Sequence, residues 1–171
     1  FNNFDLKVIP AGHIVGSSML LIKNRNNGST LLYTGDFKVD SSRTCEAASP
    51  CHADVLIMET TFGHPKYKFP KRADTEESLI TFVRNAINDN KIPIIYCYSL
   101  GKSQEVSSLL GENDIPLVVH KSTMQMNEAC RELGVNLPES KELNKTSQLQ
   151  GSAVICPPSA SKLQYLNKLE N

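Results

Sequence analysis

The chain has no apolar run long enough to span a bilayer, no excess of charge of either sign, no internal repeat and no low-complexity tract. A transmembrane helix needs about 20 consecutive apolar residues, so a helical anchor within these residues is excluded. Eighteen basic and eighteen acidic side chains give a formal charge of zero. The overall field therefore cannot draw in a polyanion or an anionic membrane, and any such contact has to be local. The opening Phe1-Asn2-Asn3-Phe4-Asp5 lacks both the basic and the apolar region of an export signal. Five cysteines form an odd set, and Cys97, Cys130 and Cys156 sit in or beside apolar or amphipathic runs. A disulfide framework is not indicated, and a soluble chain in a reducing, cytoplasmic setting is expected. What is present is 171 residues with 40% hydrophobic side chains, enough for a packed core in one or two compact units.

The first third is patterned for strands, expected over 5–9, 18–23 and 31–34, with a tight hairpin at Asn24-Arg25-Asn26-Asn27-Gly28. An irregular stretch over 37–53 precedes Asp54-Val55-Leu56-Ile57-Met58-Glu59, whose near-continuous apolar character suits a strand buried on both faces. After a second irregular stretch over 61–73 the period changes from two to about 3.6. Asp74 or Thr75 would cap a helix running to about Asn90. Strands over 93–99, 116–120 and 152–156 alternate with helices over 101–110, 122–133 and 159–169. This alternation implies βαβ units on a parallel sheet, an α/β fold, with a domain boundary within 61–73.

Four segments place chemistry-bearing groups at strand ends or glycine-flanked turns. In Pro10-Ala11-Gly12-His13-Ile14-Val15-Gly16-Ser17, a histidine between glycines can be presented as a metal ligand, although a loop histidine in solvent is the plainer reading. In Tyr33-Thr34-Gly35-Asp36-Phe37, a carboxylate follows an apolar strand, where α/β active-site acids sit and where turn-capping aspartates also sit. In Met58-Glu59-Thr60-Thr61-Phe62-Gly63, a carboxylate ends a strand and must be paired, hydrogen-bonded or protonated if buried. In Tyr98-Ser99-Leu100-Gly101-Lys102-Ser103-Gln104, a strand-to-helix turn combines free amides with a lysine, a phosphate cradle or simply a capping turn. The loop Lys66-Tyr67-Lys68-Phe69-Pro70-Lys71-Arg72 interleaves cations with aromatics, as single-stranded nucleic acid requires, but would equally serve as a solvated linker. Cys45, Cys51 and His52 lack the spacing of a closed zinc site, and His120, closing an apolar strand, reads as a core-edge residue.

The order Pro-Ala-Gly-His13-x-x-Gly-Ser, Tyr-Thr-Gly-Asp36-Phe and Glu59-Thr-Thr-Phe-Gly resembles the metallo-β-lactamase-fold nucleases of the β-CASP group. The Thr61 to Tyr67 and Ser99 to Glu105 segments are most similar to its short prokaryotic branch, the mRNA 3′-end processing factors and DNA-ligase-associated exonucleases. The resemblance implies a partial metallo-β-lactamase αββα sandwich over 1–69, followed by a β-CASP three-layer insertion with a mainly parallel sheet over 70–171. It further implies that His13 is a metal ligand and that Asp36 bridges two divalent ions, zinc or alternatively manganese. Glu59 would assist proton transfer near the leaving group. Lys66, Tyr67, Lys68 and Lys102 would contact single-stranded RNA or DNA. A homodimer and DNA-ligase or RNA-processing partners are compatible with it, and a non-catalytic nucleic-acid-binding or scaffold paralogue is the rival reading. The His-x-His-x-Asp-His cluster of the group is absent, since the histidines are His13, His52, His64 and His120. With a first residue other than Met, the expectation is a piece from the middle of a longer nuclease, holding half of the metal site and inactive alone.

Overall fold

The computed structural model describes residues 2–162. The chain divides into two compact units, Phe1–Phe69 and Pro70–Asn171. The first contains one four-stranded sheet, built in spatial order from β1 (Phe4–Pro10), β2 (Ser18–Asn24), β3 (Thr30–Tyr33) and β4 (Val55–Ile57). β1, β2 and β3 are successively antiparallel, whereas β4 runs parallel to β3. The β2–β3 hairpin closes because Gly28 takes a φ of 76° and its amide donates to the Asn24 carbonyl at 2.8 Å.

Side-chain alternation gives this sheet two apolar faces. Ile9, Met19 and Leu32 pack with Ala11 on one face, under Phe37, Ala48 and Ala53 of the irregular 37–53 segment. The segment is tied down where β1 ends, Lys38 N–H donating to the Ala11 carbonyl and Ser49 N–H to that of Pro10. On the other face Phe4, Leu6, Val8, Tyr33 and Ile57 are aligned by register and exposed. The 54–59 run corrects the expectation of a strand buried on both faces. β4 has only three residues, and Val55, Leu56 and Ile57 are each about half exposed. It lies at the sheet edge with β3 alone beside it, while the covering segment packs over β1 to β3.

The second unit is α/β with a fully parallel sheet. Its elements are α1 (Arg72–Asn88), β5 (Ile94–Tyr96), α2 (Lys102–Gly111), β6 (Leu117–Val119), α3 (Lys121–Glu132), β7 (Lys141–Glu142) and β8 (Ala153–Cys156). The strands are ordered β5-β8-β6-β7. Alternation along β6 and β8 sends Leu117, Val119, Ala153 and Ile155 to a face covered by Val83 of α1 and Val106 and Leu110 of α2. Val118, Val154 and Cys156 face Leu143, Leu149 and Ala160 instead. That second cover carries no α-helix among the described residues.

α1 begins earlier than expected: Lys71 is its N-cap, without a side-chain bond, and Asp74 lies in the first turn. The acid still favours the positive helix end, while Arg72 pairs with Glu76 at 2.5 Å and with Glu105 of α2 at 2.8 Å. β7 was not anticipated. Of the helix expected over 159–169, a 3-10 turn covers Pro158–Lys162, and the remainder lies outside the described residues. No helix among the described residues is long and apolar enough to cross a membrane.

Candidate functional site

Because β1 and β3 each run antiparallel to β2, and β4 runs parallel to β3, the carboxyl ends of β1, β3 and β4 share one edge of the first sheet. His13, Asp36 and Glu59 each follow one of these ends by two or three residues. Three segments far apart in sequence thus deliver an imidazole and two carboxylates to the same edge.

The histidine turn is rigidly specified. Ala11 is buried, and its amide donates to the Ser17 carbonyl at 2.9 Å. The Ser17 hydroxyl accepts from the amides of His13 at 3.0 Å and Ile14 at 3.1 Å. Gly12 has a φ of 72°, and a Cβ there would overlap the Lys38 carbonyl oxygen and lie 2.6 Å from the Ala48 nitrogen. Glycine is required by both conformation and space. Gly16, at φ 78°, has nothing near its Cβ position, so only its conformation asks for glycine.

His13 Nε2 lies 3.8 Å from Asp36 Oδ2, with side chains 46% and 69% exposed. Two donor atoms can share one ion only when closer than twice a bond of about 2.1 Å, roughly 4.2 Å. The pair meets that condition and keeps open sides for further ligands. Imidazole and carboxylate suit zinc or manganese. Among the described residues no group of three or more His, Cys, Asp or Glu gathers as a metal site, so the pair fits part of one. Cys45 instead directs its thiol at the Gly12 carbonyl, and Cys51 is exposed.

Glu59 is held differently. Its Oε1 accepts from the Phe37 amide at 3.3 Å and its Oε2 from the Thr61 amide at 3.2 Å. Its own amide donates to the buried Thr34 hydroxyl at 3.4 Å, while Thr34 N–H donates to the Ile57 carbonyl at 3.0 Å. The Thr61 side chain, then the Phe37 and Thr61 amides and finally the His13 charge hold its carboxyl below the ordinary glutamate range. Its ground state is therefore an oriented carboxylate. With its folded pKa below the unfolded one, its ionisation contributes stability above the ordinary glutamate value and loses it as pH falls through the folded value. Glu59→Gln should make the acid limb of thermal stability shallower below about pH 4.3. Melting temperatures across a pH series check this, and an unchanged limb would show that the two amide bonds add nothing.

Sequence motifs flagged His13, Asp36 and Glu59 but not their supports, Ser17 and Thr34. Hydroxyls that accept from loop amides leave no periodic signal, and only their places inside the two motifs could have suggested them.

The remaining candidates fall in separate places. Lys66 Nζ sits 4.9 Å from the centroid of the Tyr67 ring, and Lys68 is exposed. Lys102 is exposed at the first position of α2, in the second unit. There Gly101 has a φ of 86°, and its amide donates to Gln104 Oε1 at 2.6 Å. Gln104 Nε2 donates to the Ser99 carbonyl at 3.0 Å and to Asn127 Oδ1 of α3 at 2.8 Å. Gln104 thus locks the turn and ties the two helices together. His120 Nδ1 accepts from Ser122 N–H at 3.2 Å, capping α3.

Several known proteins are similar to this chain in sequence. A probable DNA ligase of Opitutus terrae is 38% identical over 160 residues, covering 94% of this chain and 16% of the ligase. RNase aCSPSF2 of Saccharolobus solfataricus is 32% identical over 126 residues, 72% of this chain and 25% of that protein. Probable RNase MJ4 of Methanocaldococcus jannaschii is 28% identical over 154 residues, 88% and 34% respectively. The chain belongs to the β-CASP nuclease family. It spans 16% to 34% of the length of these three relatives. No family model matches it. Two of these relatives are named as RNases and one as a DNA ligase.

Proposed function

We propose that the chain forms part of a metal-dependent nuclease that hydrolyses phosphodiester bonds in RNA or DNA. Residues 1–69 would belong to its metallo-β-lactamase domain and 70–171 to its β-CASP insertion. The supporting observation is the meeting of His13, Asp36 and Glu59 at one sheet edge, with two of them within ion-sharing distance. His13 and Asp36 would be metal ligands, Asp36 shared between two ions, zinc or manganese. Divalent ions held there would polarise the phosphoryl oxygens and activate water for attack. Asp36 supplies the negative charge that such cations need at close range. Glu59, fixed by two amides and ionised, would take up the proton released during attack and return it near the leaving oxygen. Lys66, Tyr67, Lys68 and Lys102 would contact a single strand, in a cytoplasmic setting.

The 171-residue chain by itself should bind divalent metal weakly and cleave nothing. Zinc prefers four protein donors in a closed site and three in a catalytic one, whereas one histidine and one aspartate converge here. Calorimetric titration of the purified chain with zinc checks this. Two ions bound with submicromolar affinity would show a complete site and overturn the assignment.

A further inference from the structure

Three aromatic rings of the first unit lie against one another just beyond Glu59. Phe62 meets Tyr67 at a centroid distance of 5.3 Å and Phe69 at 5.2 Å, with interplanar angles of 84° and 90°. Edge-to-face contacts of this kind stabilise the loop, yet they do not bury it. Phe62 is 61% exposed, Tyr67 42% and Phe69 69%. A perpendicular pair engages one ring by its edge, which leaves that ring's faces open. Tyr67 already has an ammonium near its ring, that of Lys66, so the two more exposed rings, Phe62 and Phe69, have the most surface left for a ligand.

The turn that carries the rings is ordered in advance. His64 Nδ1 accepts from the Lys66 amide at 3.1 Å, the His64 carbonyl accepts from the Tyr67 amide at 3.0 Å, and Gly63 N–H donates to the Thr60 carbonyl at 3.0 Å. No acidic residue occurs between Glu59 and Asp74, whereas Lys66 and Lys68 flank Tyr67. An exposed aromatic cluster with cations of one sign alternating through it matches a ligand that is flat and apolar on its faces and anionic along its backbone. Unpaired nucleobases on a phosphate chain have that chemistry, and bases inside a duplex do not offer their faces.

We infer that Phe62 and Phe69 form a stacking platform for an unpaired base of the substrate strand, with Lys66 and Lys68 on the adjoining phosphates. This rests on the nuclease reading above and deepens it. Phe62 is three residues from Glu59, so their Cα atoms are at most about 11 Å apart. The stacked base then belongs to the stretch of strand that passes Glu59. The site would accordingly require a single-stranded segment beside the cleavage point.

The test uses the full-length protein, with cleavage blocked by Asp36→Asn, and a short fluorescent single-stranded RNA alongside its DNA counterpart. Abasic residues are walked along the strand, and affinity is read by anisotropy over a salt series. One or two abasic positions should weaken binding roughly 5- to 150-fold. Phe69→Ala should weaken the intact strand by a similar factor and make binding indifferent to the abasic positions, without changing the slope of log affinity against log salt. Lys68→Ala should lower that slope by about 0.7. Phe62→Leu is a second variant, and the abasic series leaves the protein untouched should either replacement disturb the loop. Equal abasic penalties with and without the Phe69 ring, or none at all, would overturn the platform. If the unblocked protein still cleaves in a metal-dependent way in that case, the nuclease reading survives. Absence of both binding and cleavage would overturn the two together.

Discussion

Asp36→Asn should reduce phosphodiester cleavage by the full-length protein roughly a thousandfold, equivalent to about 4 kcal/mol of transition-state stabilisation. Asparagine keeps the shape of the side chain but removes the charge, and a neutral amide cannot offset two dipositive ions at a shared position. The fold should not notice. The Asp36 side chain is 69% exposed, with His13 Nε2 3.8 Å away, so stability should stay within about 0.5 kcal/mol of the parent. Initial cleavage rates of a labelled oligonucleotide, measured beside thermal unfolding, separate the two effects. Cleavage within about tenfold of the parent would mean that Asp36 is only a turn residue.

Gly12→Ala should be the most damaging small substitution in the first unit. A left-handed conformation costs an ordinary residue about 1 to 2 kcal/mol. The added Cβ also meets backbone of Lys38 and Ala48, which no rotamer change relieves, and overpacking adds about 1 to 3 kcal/mol. The expected loss is roughly 2 to 5 kcal/mol, together with displacement of His13. Gly16→Ala is the internal control: its φ is similar, but open space surrounds it, so only the conformational part applies. Urea unfolding followed by circular dichroism measures both. Equal costs at the two glycines would contradict the close packing of the turn beneath His13.

The contrast between these glycines also shows what the sequence does and does not reveal. Both stand in one motif, and nothing in the string distinguishes a glycine that touches backbone from one that faces solvent. The β2–β3 hairpin was legible because Asn and Gly specify its turn locally. The βαβ alternation was legible because apolar period follows backbone geometry. β7 was not, since Lys141 and Glu142 are a polar pair that joins the sheet only through β6. The exposure of β4 could not be read either, because its apolar composition describes the burial it is suited to, and burial depends on what stands beside it. The start of α1 at Arg72, ahead of the expected caps Asp74 and Thr75, goes with ion pairs from Arg72 to Glu76 and Glu105, and the second of these partners lies 33 positions away. At the site, the motifs flagged an imidazole and two carboxylates singly. Their common edge emerges only from the strand directions, which no local pattern encodes.

The most direct test of a metal-dependent phosphodiesterase built on this edge is cleavage of a single-stranded oligonucleotide by the full-length protein after chelation and dialysis, then after zinc or manganese is restored. The account predicts that cleavage disappears on metal removal, returns with the added ion, and does not return in Asp36→Asn. Undiminished cleavage in the chelated protein, or full restoration in the Asp36→Asn variant, would contradict it.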